Sequence, residues 1–353
     1  MADVTITREE LNDPKIDEVI NLEKSLAQTG GQFIEDVKTP FYLNPVVYYA
    51  TACVLGAFSA WCVFEPFYNE GPGPGIPFVS DYLLFGLAAA LMGLAMGVIY
   101  GAANHNGRDC FYCGAVGVGV GLLATIVTTL LADLCFGVLS HIALAISGRK
   151  GYVRFADLRG GAFFLAMCGR ALAWAIVSAG AGLGLGVALK SKKLILNGLA
   201  GGLVGGTLGG LLFDPIGRWL LSAQSSAAAS RAVGMTAIGL LVGLFVGLFE
   251  NISKDSWFLM LKGPLAGKQF SIFKSPMTIG SAPKRNIYLF KDAEIDPLHA
   301  SVIKSGNRYM LQDEGSKSGT FVNGRRVDKY VLRPGDVVTI GQTVLKYHEK
   351  QKS

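Results

Sequence analysis

Few side chains of this 353-residue chain have types and spacing suited to chemistry, and the first set surrounds a pair of cysteines. Cys110 and Cys113 enclose Phe-Tyr, and His105 lies upstream. A structural zinc site needs four ligands, and the nearby sequence offers no fourth. A redox-active pair of cysteines at this spacing usually occurs next to a βαβ pattern, and the flanking sequence lacks that pattern. We interpret both residues as structural cysteines and expect no metal and no cofactor.

The second set lies in the stretch 315–324, which reads Gly-Ser-Lys-Ser-Gly-Thr-Phe-Val-Asn-Gly. It predicts a Ser/Gly-rich turn, a short strand over 320–322 and a tight turn at Asn323-Gly324, because both positions of such a turn need a positive φ. Apolar, β-branched runs separated by turns surround the stretch, which indicates a β-sandwich or barrel. The predicted strands cover 270–273, 277–279, 287–289, 300–303, 309–311, 337–340 and 344–347.

The region from about 258 to 347 resembles a forkhead-associated (FHA) domain. The resemblance rests on motifs in family order and at family spacing: Thr278-Ile279-Gly280, Leu298-His299-Ala300, the 315–324 stretch, and Leu332-Arg333-Pro334-Gly335-Asp336 followed by Ile340-Gly341. These motifs lie in the last quarter of the chain and say nothing about the rest. The resemblance implies an eleven-stranded sandwich that recognises phosphothreonine peptides.

The chain departs from the family pattern where the family binds phosphate. Ser281 stands where the family has arginine, Asp296 aligns with a family serine, and Lys317-Ser318 replaces Thr-Asn. Arginine gives phosphate charge-assisted, often bidentate hydrogen bonds that serine cannot give, and a carboxylate repels phosphate. Positive charge from neighbouring loops comes from Lys284, Arg285 and Lys317. These departures favour phosphate-independent recognition, with phosphopeptide binding as the alternative.

The resemblance also divides the candidate residues by role. The candidates for binding a phosphopeptide or another partner are Ser281, Arg285, Asp296, Lys317, Ser318, Thr320 and Asn323. Thr320 and Asn323 fit hairpin chemistry equally well. His299 corresponds to a family histidine that ties loops together, so we expect a structural role. Backbone positions that a side chain would crowd are Gly280, Gly319 and Gly324.

Composition places most of the remaining chain in a membrane. Hydrophobic residues make up 51%, charged residues only 16%, and 46 residues are glycine, which is unusual for a soluble protein of this size. We predict an acidic tail over 1–43, a transmembrane bundle over 44–250 and an FHA-like sandwich over 257–350. The fold class is therefore a multidomain membrane protein, an α-helical bundle followed by an all-β domain. The six predicted spans are 45–64, 82–103, 114–147, 171–189, 194–213 and 232–249.

The predicted spans contain glycines four residues apart, which share one helix face and let two backbones approach closely. These rows are Gly93, Gly97 and Gly101; Gly198, Gly202, Gly206 and Gly210; Gly201, Gly205 and Gly209; and Gly239, Gly243 and Gly247. We interpret them as bundle packing, with homo-oligomerisation as the alternative. Asp133, inside the third span, is the intramembrane candidate for function. It would instead lie at the headgroups if that span ended near 131.

Charge is distributed unevenly along the chain. Residues 1–43 have four basic and nine acidic side chains, whereas residues 257–353 have sixteen basic and eight acidic. A basic terminal domain suits an acidic protein partner, an anionic membrane surface or its own acidic tail. Within the tail, 9–28 has apolar residues at helical spacing on one side. Six spans put both termini in the cytoplasm, whereas dividing 114–147 would put the C-terminal domain outside.

No enzyme signature is present in the sequence. We find no phosphate-binding loop with its Lys-Ser/Thr pair, no kinase catalytic loop, no nucleophile elbow and no paired-histidine metal motif. Nucleic-acid binding is not expected either, because the basic residues lack interleaved aromatic side chains. We predict a membrane-anchored interaction module that recruits a protein partner in signalling or assembly. The alternative is a transporter or channel that the FHA-like domain regulates.

Overall fold

The computed structural model describes residues 37–67, 77–148, 158–222, 227–306 and 308–350. The predicted tail helix over 9–28 lies outside the described residues. Two compact units divide the chain. One is Phe41–Lys254, and the other contains Asp255–Ser353 together with the segment that ends at Pro40.

The first unit is helical. A short 3-10 helix, Phe41–Leu43, precedes α1, whose N-terminus is capped by Asn44. Six helices of the described chain are long and apolar enough to cross a membrane, in agreement with the predicted number of spans. They are α1 Pro45–Phe64, α2 Pro77–Ala103, α3 Gly107–Ser147, α4 Gly160–Ala188, α5 Lys192–Ser222 and α6 Ala227–Ser253.

The largest differences from the predicted spans are at the starts of α3 and α4, which begin at Gly107 and Gly160 instead of 114 and 171. The side chain of Asn106 accepts a hydrogen bond from Asp109 N at 3.3 Å, so α3 begins before Cys110 and Cys113. Both cysteines are therefore helical, although the predicted span begins only at 114. The helix then continues unbroken over 41 residues. Likewise α4 begins at Gly160, and Arg170 lies inside it, bonded to Asp214 of α5 at 3.1 Å. Capping and ion pairing let polar residues join helices that hydrophobicity alone would shorten.

Glycines place neighbouring helix backbones in direct contact. Each helix packs on the next one along the chain, and α6 also packs on α1. A Cβ atom built on Gly198 of α5 would lie 2.0 Å from the carbonyl oxygen of Gly182 in α4, and one on Gly243 of α6 would lie 2.2 Å from that of Tyr49 in α1. A Cβ on Gly97 of α2 would lie 2.3 Å from the backbone of α3. These glycine rows thus make contacts within the chain.

The second unit is a β-sandwich of eleven strands in the described residues. A six-stranded sheet has the order β2-β1-β11-β10-β7-β8, and a five-stranded sheet has the order β4-β3-β5-β6-β9. The strands are β1 Ser256–Lys262, β2 Gln269–Ser271, β3 Met277–Gly280, β4 Ile287–Tyr288, β5 Ala300–Ser305, β6 Arg308–Asp313, β7 Thr320–Val322, β8 Arg325–Arg326, β9 Lys329–Val331, β10 Val337–Ile340 and β11 Thr343–Glu349.

The space between the two sheets is the core of the sandwich. Its largest members include Phe258 of β1 and Tyr347 of β11, which are fully buried and whose rings pack 5.5 Å apart. The β7–β8 hairpin turns at Asn323-Gly324, where both φ angles are positive, at 50° and 72°. This is the tight turn that the Asn-Gly pair predicts.

Candidate functional site

The candidate site lies at one end of the sandwich, where three loops meet. They connect β3 to β4 (281–286), β4 to β5 (289–299) and β6 to β7 (314–319). We call this region the three-loop end. Side chains of these loops form hydrogen bonds from one loop to another, and those bonds decide which groups are left to face a ligand.

Asp296 joins all three loops. Its Oδ2 accepts a hydrogen bond from the backbone N–H of Lys317 at 2.7 Å, and its own N–H donates to Nδ1 of His299 at 3.2 Å. Its carbonyl oxygen accepts from the N–H of Ser281 at 3.0 Å. The carboxylate that stands in place of the family serine is therefore engaged in holding the 314–319 loop.

His299 is completely buried at the centre of the three-loop end. Because Nδ1 accepts from Asp296, the ring proton resides on Nε2, which donates to the carbonyl oxygen of Gly319 at 3.2 Å. Both ring nitrogens are thereby used in the neutral tautomer. The arrangement provides a bridge between loops, with no ring nitrogen left for a substrate or a metal.

The two serines of the site also bond within the protein. Ser281 Oγ donates to the carbonyl oxygen of Ile295, and Ser318 Oγ donates to that of Glu294, each at 2.7 Å. A Cβ on Gly280 would lie 2.6 Å from the carbonyl oxygen of Pro297, so the β4–β5 loop packs directly on the β3 backbone. Ser281 thus fixes the loop at the position where the family pattern has a phosphate-binding arginine.

Asp313 is a structural centre of this region that the sequence motifs did not reveal. Its Oδ1 accepts from the hydroxyls of Ser316 and Thr320, both at 2.6 Å, and its Oδ2 accepts from the N–H groups of Gly315 and Ser316 at 3.0 and 2.9 Å. Burial by itself would raise the pKa of Asp313, but these hydrogen bonds outweigh it and lower the pKa below its usual value. An Asp two residues before Gly-Ser is a turn signal that could have identified it, because an Asp side chain can accept a hydrogen bond from the backbone N–H two residues on.

Thr320 and Asn323 occupy different places. Thr320 is fully buried and bonded to Asp313. Asn323 lies at the far end of β7, away from the three loops, where its Nδ2 donates to Asp336 Oδ1 at 2.7 Å and its Oδ1 accepts from Val337 N at 2.9 Å. The structure therefore does not bring Asn323 together with the other candidates.

Three cations surround the three-loop end. Arg285 donates from Nε to the carbonyl oxygen of Pro297 at 2.8 Å, and its Nη atoms have no partner in the described part of the chain. Lys317 has an exposed side chain. Arg326 of β8, which sequence reasoning missed, packs against Gly319: a Cβ there would lie 2.6 Å from its Nε. The φ of Gly319 is +81°, a value that favours glycine. Within the described residues, the Arg326 guanidinium has no hydrogen-bond or ion-pair partner.

The helical unit contains one further candidate. Asp133 lies in α3, and its Oδ2 is buried without a hydrogen-bond partner among the described residues. No three His, Cys, Asp or Glu side chains of the described ranges are grouped so that they could hold a metal ion.

The three-loop end offers hydrogen-bond donors and cations, the chemistry of binding an anionic group.

Comparison with known proteins assigns the sandwich to a class. The family model described as the inner membrane component of T3SS, cytoplasmic domain, matches residues 259–351. The chain is 34% identical over 105 residues to the glycogen accumulation regulator GarA of Mycolicibacterium smegmatis, which covers 30% of this chain and 66% of that protein. It is 37% identical over 84 residues to the mouse (Mus musculus) angiogenic factor with G patch and FHA domains 1, which covers 21% of this chain and 12% of that protein.

Among solved structures, the FHA domain of a Chlamydia trachomatis protein is 27% identical and covers 28% of this chain and 99% of that chain, with a TM-score of 0.26. The chain spans 66% of GarA and 12% of the mouse protein. The C-terminal region is an FHA domain, which confirms the family resemblance, and it follows six long apolar helices. FHA domains and the matched cytoplasmic domains are interaction modules rather than enzymes.

Proposed function

We propose that this protein is a membrane-anchored interaction module whose FHA domain recruits a protein partner to the cytoplasmic face of the membrane, in signalling or assembly. Membrane anchoring is supported by six helices of sufficient length and hydropathy. The cytoplasmic location of the C-terminal domain is supported by the family model, whose description names a cytoplasmic domain.

The observation on which the proposal depends is the arrangement of charge at the three-loop end. The side chains of Ser281 and Asp296 are engaged by the protein itself, whereas Arg285, Lys317 and Arg326 have cationic groups directed to solvent or without a partner in the described residues. Cations on a rigid rim attract an acidic segment without a dedicated phosphate pocket. The partner is therefore an acidic protein segment, and phosphothreonine is not required for binding.

The experiment compares two peptides on the full-length protein in nanodiscs. One is an acidic peptide with a central threonine, and the other is identical but phosphorylated on that threonine. We expect both peptides to bind. The phosphorylated peptide should bind no more tightly than its additional charge explains, and both affinities should fall as the salt concentration is raised. Binding of the phosphorylated peptide alone would instead establish the phosphothreonine-dependent alternative.

The roles of the cations are tested by substitution. Arg285→Gln and Lys317→Gln should each weaken binding by about 0.5–1 kcal/mol, because each removes one exposed attraction. Lys262→Gln is the matched control, since this lysine is exposed at the end of β1 outside the three loops. Equal affinity in all three variants would refute the assignment of this surface.

A second candidate function rests on Asp133. Its buried, unpartnered carboxylate oxygen in α3 is the feature expected of a residue on an ion or proton path. If the bundle is a transporter or channel regulated by the FHA domain, proteoliposomes should show flux of an ion or solute that Asp133→Asn abolishes. The absence of flux for protons and common monovalent ions in both forms would remove this candidate.

A further inference from the structure

The six-stranded sheet has an apolar outer face, opposite the core of the sandwich. Successive side chains of a strand point to opposite faces. Because Phe258 and Met260 of β1 belong to the core, Leu259 and Leu261 lie on the outer face. The apolar residues of this outer row, from β1, β10 and β11, are Trp257, Leu259, Leu261, Val337 and Val344.

This outer row is a packed cluster rather than scattered exposed residues. Leu259, Leu261 and Val344 are only 7%, 8% and 8% exposed, and Val337 packs against them. An antiparallel sheet that faces water on one side usually has polar residues there. We therefore expect another segment of protein to cover this apolar outer face.

The edge of the same sheet holds the chain segment that leads to the N-terminus. Thr39 Oγ1 accepts a hydrogen bond from Gln269 Nε2 of the edge strand β2 at 3.0 Å. A Cβ on Gly267 would lie 2.8 Å from Pro40 Cδ and 2.9 Å from the carbonyl oxygen of Lys38, so the segment packs tightly on the backbone before β2. Because β2 pairs directly with β1, the segment 37–40 lies beside the sheet edge next to the strand that contains Leu259.

The N-terminal sequence has the composition that this face requires. Residues 9–28 contain six acidic and two basic side chains, and they have apolar residues on one side of a predicted helix. These apolar residues are Leu11, Ile16, Val19, Ile20, Leu22 and Leu26. The outer face offers Lys346, which lies opposite both Leu259 and Val337 in the strand register. Charge and hydrophobicity are thus complementary.

Length and tethering favour this occupant over a second molecule. A helix over 9–28 would be about 30 Å long. The eight residues between it and Val37 reach roughly 26 Å when extended. A short covalent tether also raises the effective concentration of the segment at the face to the millimolar range, on the order of 1 mM. A second copy of the chain does not have that advantage.

We propose that residues 9–28 dock as an amphipathic helix on the outer face formed by β1, β11 and β10, with their apolar side on Leu259, Leu261 and Val344. The acidic residues beside that apolar side then face Lys346. This contact is separate from the three-loop end, and the inference does not depend on the proposed function. It makes the acidic tail an integral part of the FHA unit, leaving the three-loop end to a partner.

Disulfide trapping on the full-length protein tests the docking. Leu259→Cys is combined with Ile16→Cys, Val19→Cys or Leu26→Cys on the apolar side, or with Asp17→Cys on the opposite side as the matched control. A disulfide needs Cα atoms within about 7 Å, so at least one apolar-side pair should give an intramolecular bond under mild oxidation, at roughly tenfold the yield of the control pair. The native cysteines stay in place, since all six are in the helical unit and peptide mass spectrometry identifies the bonded pair.

Lys346→Cys repeats the test, because its side chain is only partly buried and the substitution preserves Leu259. Equal yields from both sides of the predicted helix, or no bond to either cysteine probe, would overturn the proposal. Bonds found only between two molecules would assign the face to a second copy of the chain. A bond that forms in detergent but is lost in nanodiscs would assign it to the bilayer, which also contradicts docking of the tail.

Discussion

In the helical unit neighbouring backbones touch, whereas at the three-loop end of the sandwich side chains hold the backbones in place. Gly198 and Gly182 approach so closely that a single methyl group would not fit between them. Asp296, His299 and Asp313 instead connect loops through hydrogen bonds of 2.6–3.2 Å. The bundle is thus sensitive to added volume, and the three-loop end is sensitive to the loss of a polar group.

This difference has a functional consequence. Close packing without side chains suits an anchor, because lipid supplies no hydrophobic force between helices and contact must come from van der Waals packing. A loop end held together by internal hydrogen bonds is rigid before a partner arrives, which reduces the entropy lost on binding. Among the cations around it, Arg285 also bonds to the β4–β5 loop, whereas the side chain of Lys317 is exposed.

The largest effect is expected from adding volume between α4 and α5. Gly198→Val would place atoms within about 2 Å of the Gly182 carbonyl oxygen and should destabilise the bundle by more than about 3 kcal/mol. Thermal melting and size-exclusion chromatography in detergent would measure this as loss of the folded monodisperse form. Gly119→Ala is the control, because no atom lies within 4 Å of a Cβ there. Equal stability of the two variants would contradict the packing described.

The next effect concerns loss of a polar group at the three-loop end. Asp313→Ala removes the acceptor of four hydrogen bonds and leaves the buried Thr320 hydroxyl unpaired, so the free energy of unfolding of the FHA domain should fall by about 2–3 kcal/mol. Chemical denaturation followed by Trp257 fluorescence would measure it. Asp328→Ala, an exposed residue between β8 and β9, should change stability by less than about 0.5 kcal/mol. A similar loss in both would refute the central role of Asp313.

Acid sensitivity follows from the same carboxylate. Because the folded pKa of Asp313 is lowered, its contribution to stability is fully present above its unfolded pKa of about 3.9 and is lost as the pH falls through the folded value. The stability difference between the natural protein and Asp313→Asn should therefore be constant from pH 7 to about 5 and shrink below about pH 4. A difference unchanged down to pH 2 would argue against the hydrogen-bonded carboxylate.

The smallest effect on stability, and the sharpest separation of binding from folding, is expected at Arg326. Arg326→Gln should leave the free energy of unfolding unchanged within about 0.5 kcal/mol, because its guanidinium has no polar partner in the described residues. It should nevertheless weaken binding of the acidic peptide. Arg325→Gln, the neighbouring exposed residue of β8, is the control and should bind as the natural protein does. Equal losses of affinity at both positions would indicate only a general charge effect.

Local chemistry in the sequence was sufficient to predict most elements. The Asn323-Gly324 turn, the alternating strands and the six long apolar runs each follow from properties of neighbouring residues, such as φ preference and hydrophobic period. The helix starts at Gly107 and Gly160 were harder to predict. The first follows a cap at Asn106, and in the second helix the charge of Arg170, which interrupts the apolar run, is paired with Asp214 of another helix. The roles predicted for Ser281, Lys317 and Asp133 remain predictions.

By itself the sequence determined the order of the two units, the identity of the FHA motifs and the absence of arginine at position 281, since each is a property of residue type and spacing. Only the tertiary structure decided that Arg326, forty-five positions later, lies against Gly319 beside the same loops. It also decided that Asp313 is the acceptor that orders the β6–β7 loop. The reason is that contacts between strands depend on sheet order and register, which bring distant residues together and leave no trace in the local sequence pattern.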